Sequence, residues 1–193
     1  MNVGKITVIT GPMRSNKSLA AIVAFREAAF TKKKVIAFHP AFSSRWGSNE
    51  ISSRLLTGKE GNLSIPSTPL TTLQGFMSLL AEDVDVVIFD DAQFFSNDIV
   101  NISKTLRSRG VEVWISGLDM DSFLSPFGPM PLLMSVADTV TKVFSVCHDC
   151  FEPAQTTYRL TSNGEQILVG DDEYITLCYK CWYTRKKDES VTY

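Results

Sequence analysis

The sequence predicts an α/β fold, with a mostly parallel sheet flanked by helices and followed by a small cysteine-held lobe. Three observations carry this. Short apolar runs rich in β-branched residues alternate with segments able to form helices, the pattern of a parallel sheet built from strand–helix–strand units. The first run passes straight into a glycine-bearing loop, 11-GPMRSNKS-18. The alternation stops after Val146, and two cysteine pairs bracket most of the remaining chain. The chain therefore divides into an α/β domain over 1–146 and a lobe over 147–193.

The run 6-ITVIT-10 is short and β-branched, as expected of a strand buried on both faces. Helix formers from Ser18 to Phe30 predict a helix beginning near Lys17. Such a helix aims its first N–H groups and its positive dipole end back at the loop. The runs 35-VIAF-38, 84-VDVVIF-89, 111-VEVWIS-116 and 140-VTKVFSV-146 predict further strands, with helices around Leu73–Glu82, Asp98–Arg109 and Leu132–Asp138. Ala41 to Pro69 is rich in Ser, Gly and Pro with little periodicity, and much of it reads as a long, mobile loop. In the lobe, Asn163-Gly164 signals a hairpin.

Composition narrows the function. The 193 residues carry 21 acidic and 19 basic side chains, a net charge of −2, without the basic excess of general nucleic-acid binders. Lys32-Lys33-Lys34 and Arg185-Lys186-Lys187 read as solvated helix ends. No apolar run reaches the roughly 18 residues of a membrane span, and no charged and apolar leader precedes the first strand. A cytoplasmic protein is expected, with no membrane partner and with nucleic acid disfavoured.

Three constellations carry chemistry. Gly11, Pro12, Met13, Arg14, Ser15, Asn16, Lys17 and Ser18 nearly match the phosphate-loop pattern G-x-x-x-x-G-K-[ST], with Asn16 in place of the second glycine. Gly11 allows the tight turn, successive backbone N–H groups can cradle a polyphosphate, Lys17 offers a point charge and Ser18 a hydroxyl for Mg²⁺. Asn is the non-glycine residue most at ease at positive φ, so the strain is about 1 kcal/mol. The plainer reading is a simple strand-to-helix turn. Next, 86-VVIFDDAQFF-95 is an apolar strand ending in Asp90 and Asp91, at the sheet edge where α/β proteins bind ligands. Asp90 occupies the place of an acid that organises Mg²⁺; helix capping or solvation is the alternative for both carboxylates. Finally, Cys147 and Cys150 in 147-CHDC-150 pair with Cys178 and Cys181 in 178-CYKC-181. Two such knuckles match a tetrahedral structural Zn²⁺ site with no open position, disulfides being the alternative. His148 reads as a bystander, and His39, which precedes Pro40, has no assigned chemistry.

Taken together, 9-ITGPMRSNKS-18, 39-HPAFSSRW-46, 88-IFDDAQFF-95, 117-GLDMDSFLSPFGPMP-131 and 169-VGDDEYITLCYKC-181 resemble the type II thymidine kinase family, the zinc-containing cellular and viral class, over nearly the whole chain. The resemblance implies a P-loop domain plus a zinc-held lobe whose lasso loop closes over the nucleoside base. It implies transfer of the ATP γ-phosphate to the 5′-hydroxyl of thymidine, a homo-oligomer (tetramer or dimer), and feedback inhibition by thymidine triphosphate. Carried over by position, Gly11, Lys17 and Ser18 hold phosphates and magnesium, and Arg45 reaches the phosphates. Asp90 and Gln93 match the D-E-x-Q strand end. Met13, Phe94 and Leu118 wall the nucleoside pocket, and Thr157, Ile167 and Tyr174 fall where the lasso contacts the base.

Four positions depart from that family. Asn16 replaces the loop glycine, Ser43 an aspartate, Asp91 the glutamate general base, and Ser122 a phenylalanine that packs on thymine. Asp91 keeps a carboxylate one methylene shorter, and misplacement by about 1 Å can cost about 10²-fold in rate. The leading expectation is a deoxynucleoside kinase acting on thymidine or a related, modified pyrimidine nucleoside, with Asp91, Lys17 and Arg45 as catalytic residues. The alternatives are a nucleotide-binding regulatory protein of the same fold and a zinc-ribbon ATPase that binds nucleic acid.

Overall fold

The computed structural model describes residues 2–41, 49–53, 63–161, 170 and 172–191. The first strand, β1 (Ile6–Thr10), is buried along all five residues. It lies parallel to β7 (Glu112–Gly117) on one side and β8 (Thr139–Lys142) on the other. Adding β2 (Val35–Pro40), β5 (Thr68–Leu70) and β6 (Val86–Phe89) gives a six-stranded sheet in the order β5-β2-β6-β7-β1-β8. Every neighbouring pair in it is parallel, so the carboxyl ends of all six strands share one edge.

Side chains alternate across that sheet, as the period of a strand requires. Val87 and Phe89 pack with α3 (Asp98–Ser108) and α4 (Met130–Val136) through Ile99, Ile102, Leu106, Met130 and Leu133. Val86 and Ile88 face α1 (Lys17–Phe30), whose buried residues are mostly alanines. Small side chains let this helix lie close to the sheet, which holds its N-terminus against the strand ends.

The long-loop expectation for Ala41 to Pro69 is corrected within the described residues. β3 (Glu50–Ser53) and β4 (Leu63–Pro66) form an antiparallel hairpin, and β5 is the edge strand of the main sheet. Ile51 and Ile65 are buried in the α1 core. These strands are short and serine-rich, so their apolar signal is too sparse to register as strand periodicity. The helix expected around Leu73–Glu82 shrinks to α2 (Phe76–Leu79). The single strand expected over 140–146 is broken in two: β8 (Thr139–Lys142) joins the main sheet, whereas Ser145–Val146 pairs antiparallel with Pro153–Ala154, so the lobe begins before Cys147. The remaining strands and helices fall where the apolar runs place them.

The lobe contains two antiparallel pairs, β9 (Ser145–Val146) with β10 (Pro153–Ala154) and β11 (Thr156–Arg159) with β12 (Tyr174–Leu177), followed by α5 (Tyr179–Val191). Its core is Cys147, Ala154, Tyr158, Ile175, Leu177 and Trp182, with Leu124 packed against it. The Asn163-Gly164 signal lies outside the described residues. The Arg185-Lys186-Lys187 run is solvated only in part: Lys187 is exposed, whereas Arg185 and Lys186 are half-buried. It lies inside α5, with Arg185 bound to Asp149 at 2.6 and 2.8 Å and Lys186 over the Tyr158 ring at 4.9 Å. Among the described residues no helix is long and apolar enough to cross a membrane.

Candidate active site

The phosphate loop joins β1 to α1 at the carboxyl edge. Gly11 has φ 147°, and a Cβ there would lie 2.1 Å from the Val143 carbonyl oxygen, so no larger residue fits. Asn16 adopts φ 66°, ψ 24°, directly before the helix; the substitution leaves the left-handed geometry in place. Arg14 is left-handed too, at φ 57°. Lys17 is buried, and its Nζ donates to the Pro12 carbonyl at 2.6 Å and to Ser15 Oγ at 3.3 Å. Ser15 Oγ donates to the same carbonyl at 2.8 Å, so the loop is braced from within.

Two strands away, β6 ends at Asp90, which is buried. The hydroxyls of Ser116 and Ser18 both donate to its carboxylate, joining the acid at the strand end to the last residue of the phosphate loop. Burial, and then the adjacent Asp91 carboxylate, push the Asp90 pKa up to about 6, against the pull of those hydroxyls. A carboxylate held back from water beside a serine hydroxyl is a donor set suited to Mg²⁺. Ser116, at the end of β7, carries no motif signal in the sequence.

Asp91 sits half-buried in a left-handed turn, φ 51°, ψ 41°, ahead of the 3₁₀ turn Ala92–Phe94. Gln93 Nε2 donates to Asp91 Oδ1 at 3.2 Å, and Gln93 Oε1 accepts from the Leu118 N–H at 2.9 Å. A Cβ at position 117 would lie 2.8 Å from that Oε1, so Gly117 makes room for the amide.

Beside these carboxylates lies a separate apolar cluster of Met13, Leu118, Phe127 and Tyr174, with Phe94 against it. Phe94 and Phe127 meet edge to face at 5.4 Å. Four sequence-predicted pocket residues, Met13, Phe94, Leu118 and Tyr174, thus come together. Thr157 joins them by accepting the Met13 N–H on its hydroxyl at 3.0 Å, a bond between the lobe and the phosphate loop. Ser145 adds a second, its hydroxyl donating to the Arg14 carbonyl at 3.3 Å. Phe127 received no role from the sequence, although it lies in a stretch that carries the resemblance. Ser122 is buried on the loop between Leu118 and Phe127, and its hydroxyl has no partner among the described residues. Arg45, Ser43 and Ile167 lie outside the described residues.

The four cysteine sulfurs of the lobe lie within 4.8 Å of one another. All four thiols are free, and Cys150 and Cys178 Sγ are 3.7 Å apart. That separation matches the ~3.8 Å between thiolates bound tetrahedrally at ~2.3 Å from zinc. Burial acts to raise the Cys147 thiol, but backbone hydrogen bonds from Cys178, Cys150 and Asp149 outweigh it and bring the pKa down to about 6. Cys150 is raised, and burial with the neighbouring thiols pushes Cys181 up to about 12. The metal-free cluster thus favours a thiolate at Cys147 beside protonated thiols at Cys150 and Cys181, and a bound cation would have to displace their protons. His148 is outside the set, with Nδ1 3.0 Å from Asp149.

The family model described as "Thymidine kinase" matches residues 4–182. The chain belongs to the thymidine kinase family. It is 36% identical over 187 residues to a thymidine kinase of Bacteroides thetaiotaomicron, covering 96% of this chain and 90% of that protein. A thymidine kinase of Porphyromonas gingivalis is 37% identical over 180 residues, with 93% and 85% covered. One from Metamycoplasma arthritidis is 35% identical over 190 residues, with 97% and 95% covered. Membership of the thymidine kinase family makes the chain an ATP-dependent phosphotransferase, and its four-cysteine cluster fits the structural zinc of that reading.

Proposed function

We propose that this chain transfers the γ-phosphate of ATP to the 5′-hydroxyl of thymidine or a related 5-substituted pyrimidine nucleoside. The observation that carries the reading is the meeting of Ser18 with Asp90, beside Asp91 on its Gln93 support and the Met13–Leu118–Phe127–Tyr174 cluster. Phosphoryl transfer depends mainly on positioning and on charge stabilisation, and this arrangement sets a charged edge next to an apolar base-sized wall.

In this mechanism the phosphate loop binds the triphosphate through its backbone N–H groups and Lys17, with Arg45 as a further cation. Ser18 and Asp90 would hold Mg²⁺, which would supply charge neutralisation to the triphosphate. Asp91 accepts the 5′-hydroxyl proton as the O5′–Pγ bond forms and the bond from Pγ to the bridging oxygen of ADP breaks. The products are ADP and a nucleoside 5′-monophosphate. Thr157, Ile167 and Tyr174 close the lobe over the base, while Ser122 in place of an aromatic ring widens the range of bases accepted. Cys147, Cys150, Cys178 and Cys181 hold structural Zn²⁺. The same reading includes a cytoplasmic homo-oligomer, a tetramer or dimer, inhibited by the nucleoside triphosphate end product. No specific observation favours the regulatory or the nucleic-acid-dependent alternative.

The test is a panel of pyrimidine nucleosides incubated with labelled ATP and Mg²⁺. Turnover of thymidine or a 5-substituted analogue at roughly 1–100 s⁻¹ is expected. Nucleotide binding without phosphorylation of any nucleoside overturns the reading.

A further inference from the structure

His39 lies at the carboxyl end of β2, only 5% exposed. β2 is the strand beside β6, in the register Phe38↔Phe89, and the Asp90 N–H continues the ladder by donating to the Phe38 carbonyl. The next residue on each strand is therefore His39 on one side and the Asp90–Asp91 pair on the other. The 3₁₀ turn after Asp91 packs against β2. Since Phe38 faces the α3 side with Phe89 while Ala37 faces α1 with Ile88, strand alternation turns His39 toward the phosphate-loop side of the sheet, the side Asp90 also faces. Asp91 leaves that alternation in its left-handed turn, φ 51°.

The imidazole is anchored. His39 Nδ1 and the Ser67 hydroxyl, also buried, are 2.8 Å apart. Burial lowers the His39 pKa below its ordinary value, while the Asp91 carboxylate pulls it up, so the ring lies within the electrostatic reach of Asp91. A neutral imidazole that accepts the Ser67 proton at Nδ1 carries its own proton on Nε2. A ring with one nitrogen fixed has its other N–H aimed by that bond.

We propose that His39 is a positioning residue for Asp91. Anchored by Ser67 at Nδ1, it directs its Nε2 side to the Asp91 carboxylate, which Gln93 holds by Oδ1, so that the two together fix the acid that takes the 5′-hydroxyl proton. This rests on Asp91 being the general base. It offers a physical answer to the shortened side chain: a carboxylate that has lost one methylene of reach needs firmer placement, because about 1 Å of error costs about 10²-fold. In this role His39 itself touches no substrate.

A double-mutant cycle tests it, with kcat and both KM values measured for the parent, His39→Leu, Asp91→Asn and the double variant. His39→Leu is expected to lower kcat by about 10-fold to 10²-fold, with KM for ATP and nucleoside changed less than about 3-fold. In the Asp91→Asn background the same change is expected to have no further effect. His39→Gln, whose amide can accept from Ser67 and donate onward, is expected to recover part of the rate, and Ser67→Ala to lose rate in the same direction. An equal loss in both backgrounds, or a His39→Gln variant as impaired as His39→Leu while melting like the parent, overturns the proposal and leaves Asp91 as the base. Asp91→Asn matching the parent overturns the base assignment and this proposal together.

Discussion

Gln93 donates from Nε2 to Asp91 Oδ1 at 3.2 Å, and the orientation of its amide is set by the Leu118 N–H on Oε1. One buried amide thus ties the proposed base at the end of β6 to the nucleoside wall at the end of β7. Gln93→Glu keeps an acceptor for Leu118 but sets a second carboxylate against Asp91. The expected outcome is a kcat lower by about 10²-fold with ATP affinity within about 3-fold of the parent. Unchanged kcat in steady-state assays would show that Asp91 needs no such support.

Asp91 is one methylene shorter than the glutamate of the family pattern, so restoring the length is informative in either direction. Asp91→Asn is expected to cost about 10²–10⁴-fold in kcat while leaving ATP bound. Asp91→Glu is expected to raise kcat/KM for thymidine if the shorter acid handicaps that nucleoside. If instead Asp91 and Ser122 are matched to a larger base, Asp91→Glu lowers kcat/KM for 5-substituted pyrimidines. Both variants matching the parent on every nucleoside phosphorylated would remove Asp91 from the mechanism.

Much of this site is legible in the sequence because its carriers are consecutive. β1, the loop from Gly11 to Ser18 and the end of β6 each announce themselves as an unbroken buried run leading into a charged or glycine-bearing turn. The supporting contacts are not consecutive. Ser116 meets Asp90 across neighbouring strands, and His39 meets Ser67 across 28 positions. A lone serine or histidine at a strand end carries no periodic signal. Phe127 shares its cluster with Met13 and Tyr174, residues brought together only when the lobe docks on the sheet edge.

Asn16 holds φ 66°, a conformation that Asn and Gly tolerate and β-branched residues do not. Asn16→Gly is expected to change kcat and ATP affinity less than about 3-fold. Asn16→Val is expected to destabilise the domain by about 1–2 kcal/mol, and Lys17→Ala to abolish turnover. A large loss of ATP affinity in Asn16→Gly, measured by calorimetry, would reveal a ligand contact made by the amide side chain.

Thr157 accepts the Met13 N–H inside a buried contact between lobe and phosphate loop. Thr157→Val preserves shape but strands that donor, at about 1–3 kcal/mol. Because Met13 belongs to both the loop and the apolar cluster, KM for ATP and KM for nucleoside are expected to rise together. A rise confined to the nucleoside would place Thr157 at the base alone.

Burial, and then the Asp91 carboxylate, push the Asp90 pKa up to about 6 in the folded chain, against about 3.9 for an ordinary aspartate. Between those values the folded protein retains a proton that the unfolded chain has released, so this residue erodes stability as pH rises through the window. The whole penalty is present above about pH 6. At 1.36 kcal/mol for each pKa unit, it is on the order of 2–3 kcal/mol. Asn at this position can accept from one serine hydroxyl on Oδ1 and donate to the other from Nδ2, without carrying charge. In magnesium-free buffer Asp90→Asn is therefore expected to melt above the parent at pH 7.5, by about 2–4 °C for each kcal/mol gained, with the advantage shrinking toward pH 5.5. Activity is expected to be lost, and Mg²⁺ with ATP to raise the melting point of the parent far more than that of the variant. A variant that melts below the parent at pH 7.5 would mean that the charge on Asp90 supports the fold rather than straining it, and that the burial of this carboxylate is already compensated before any cation arrives.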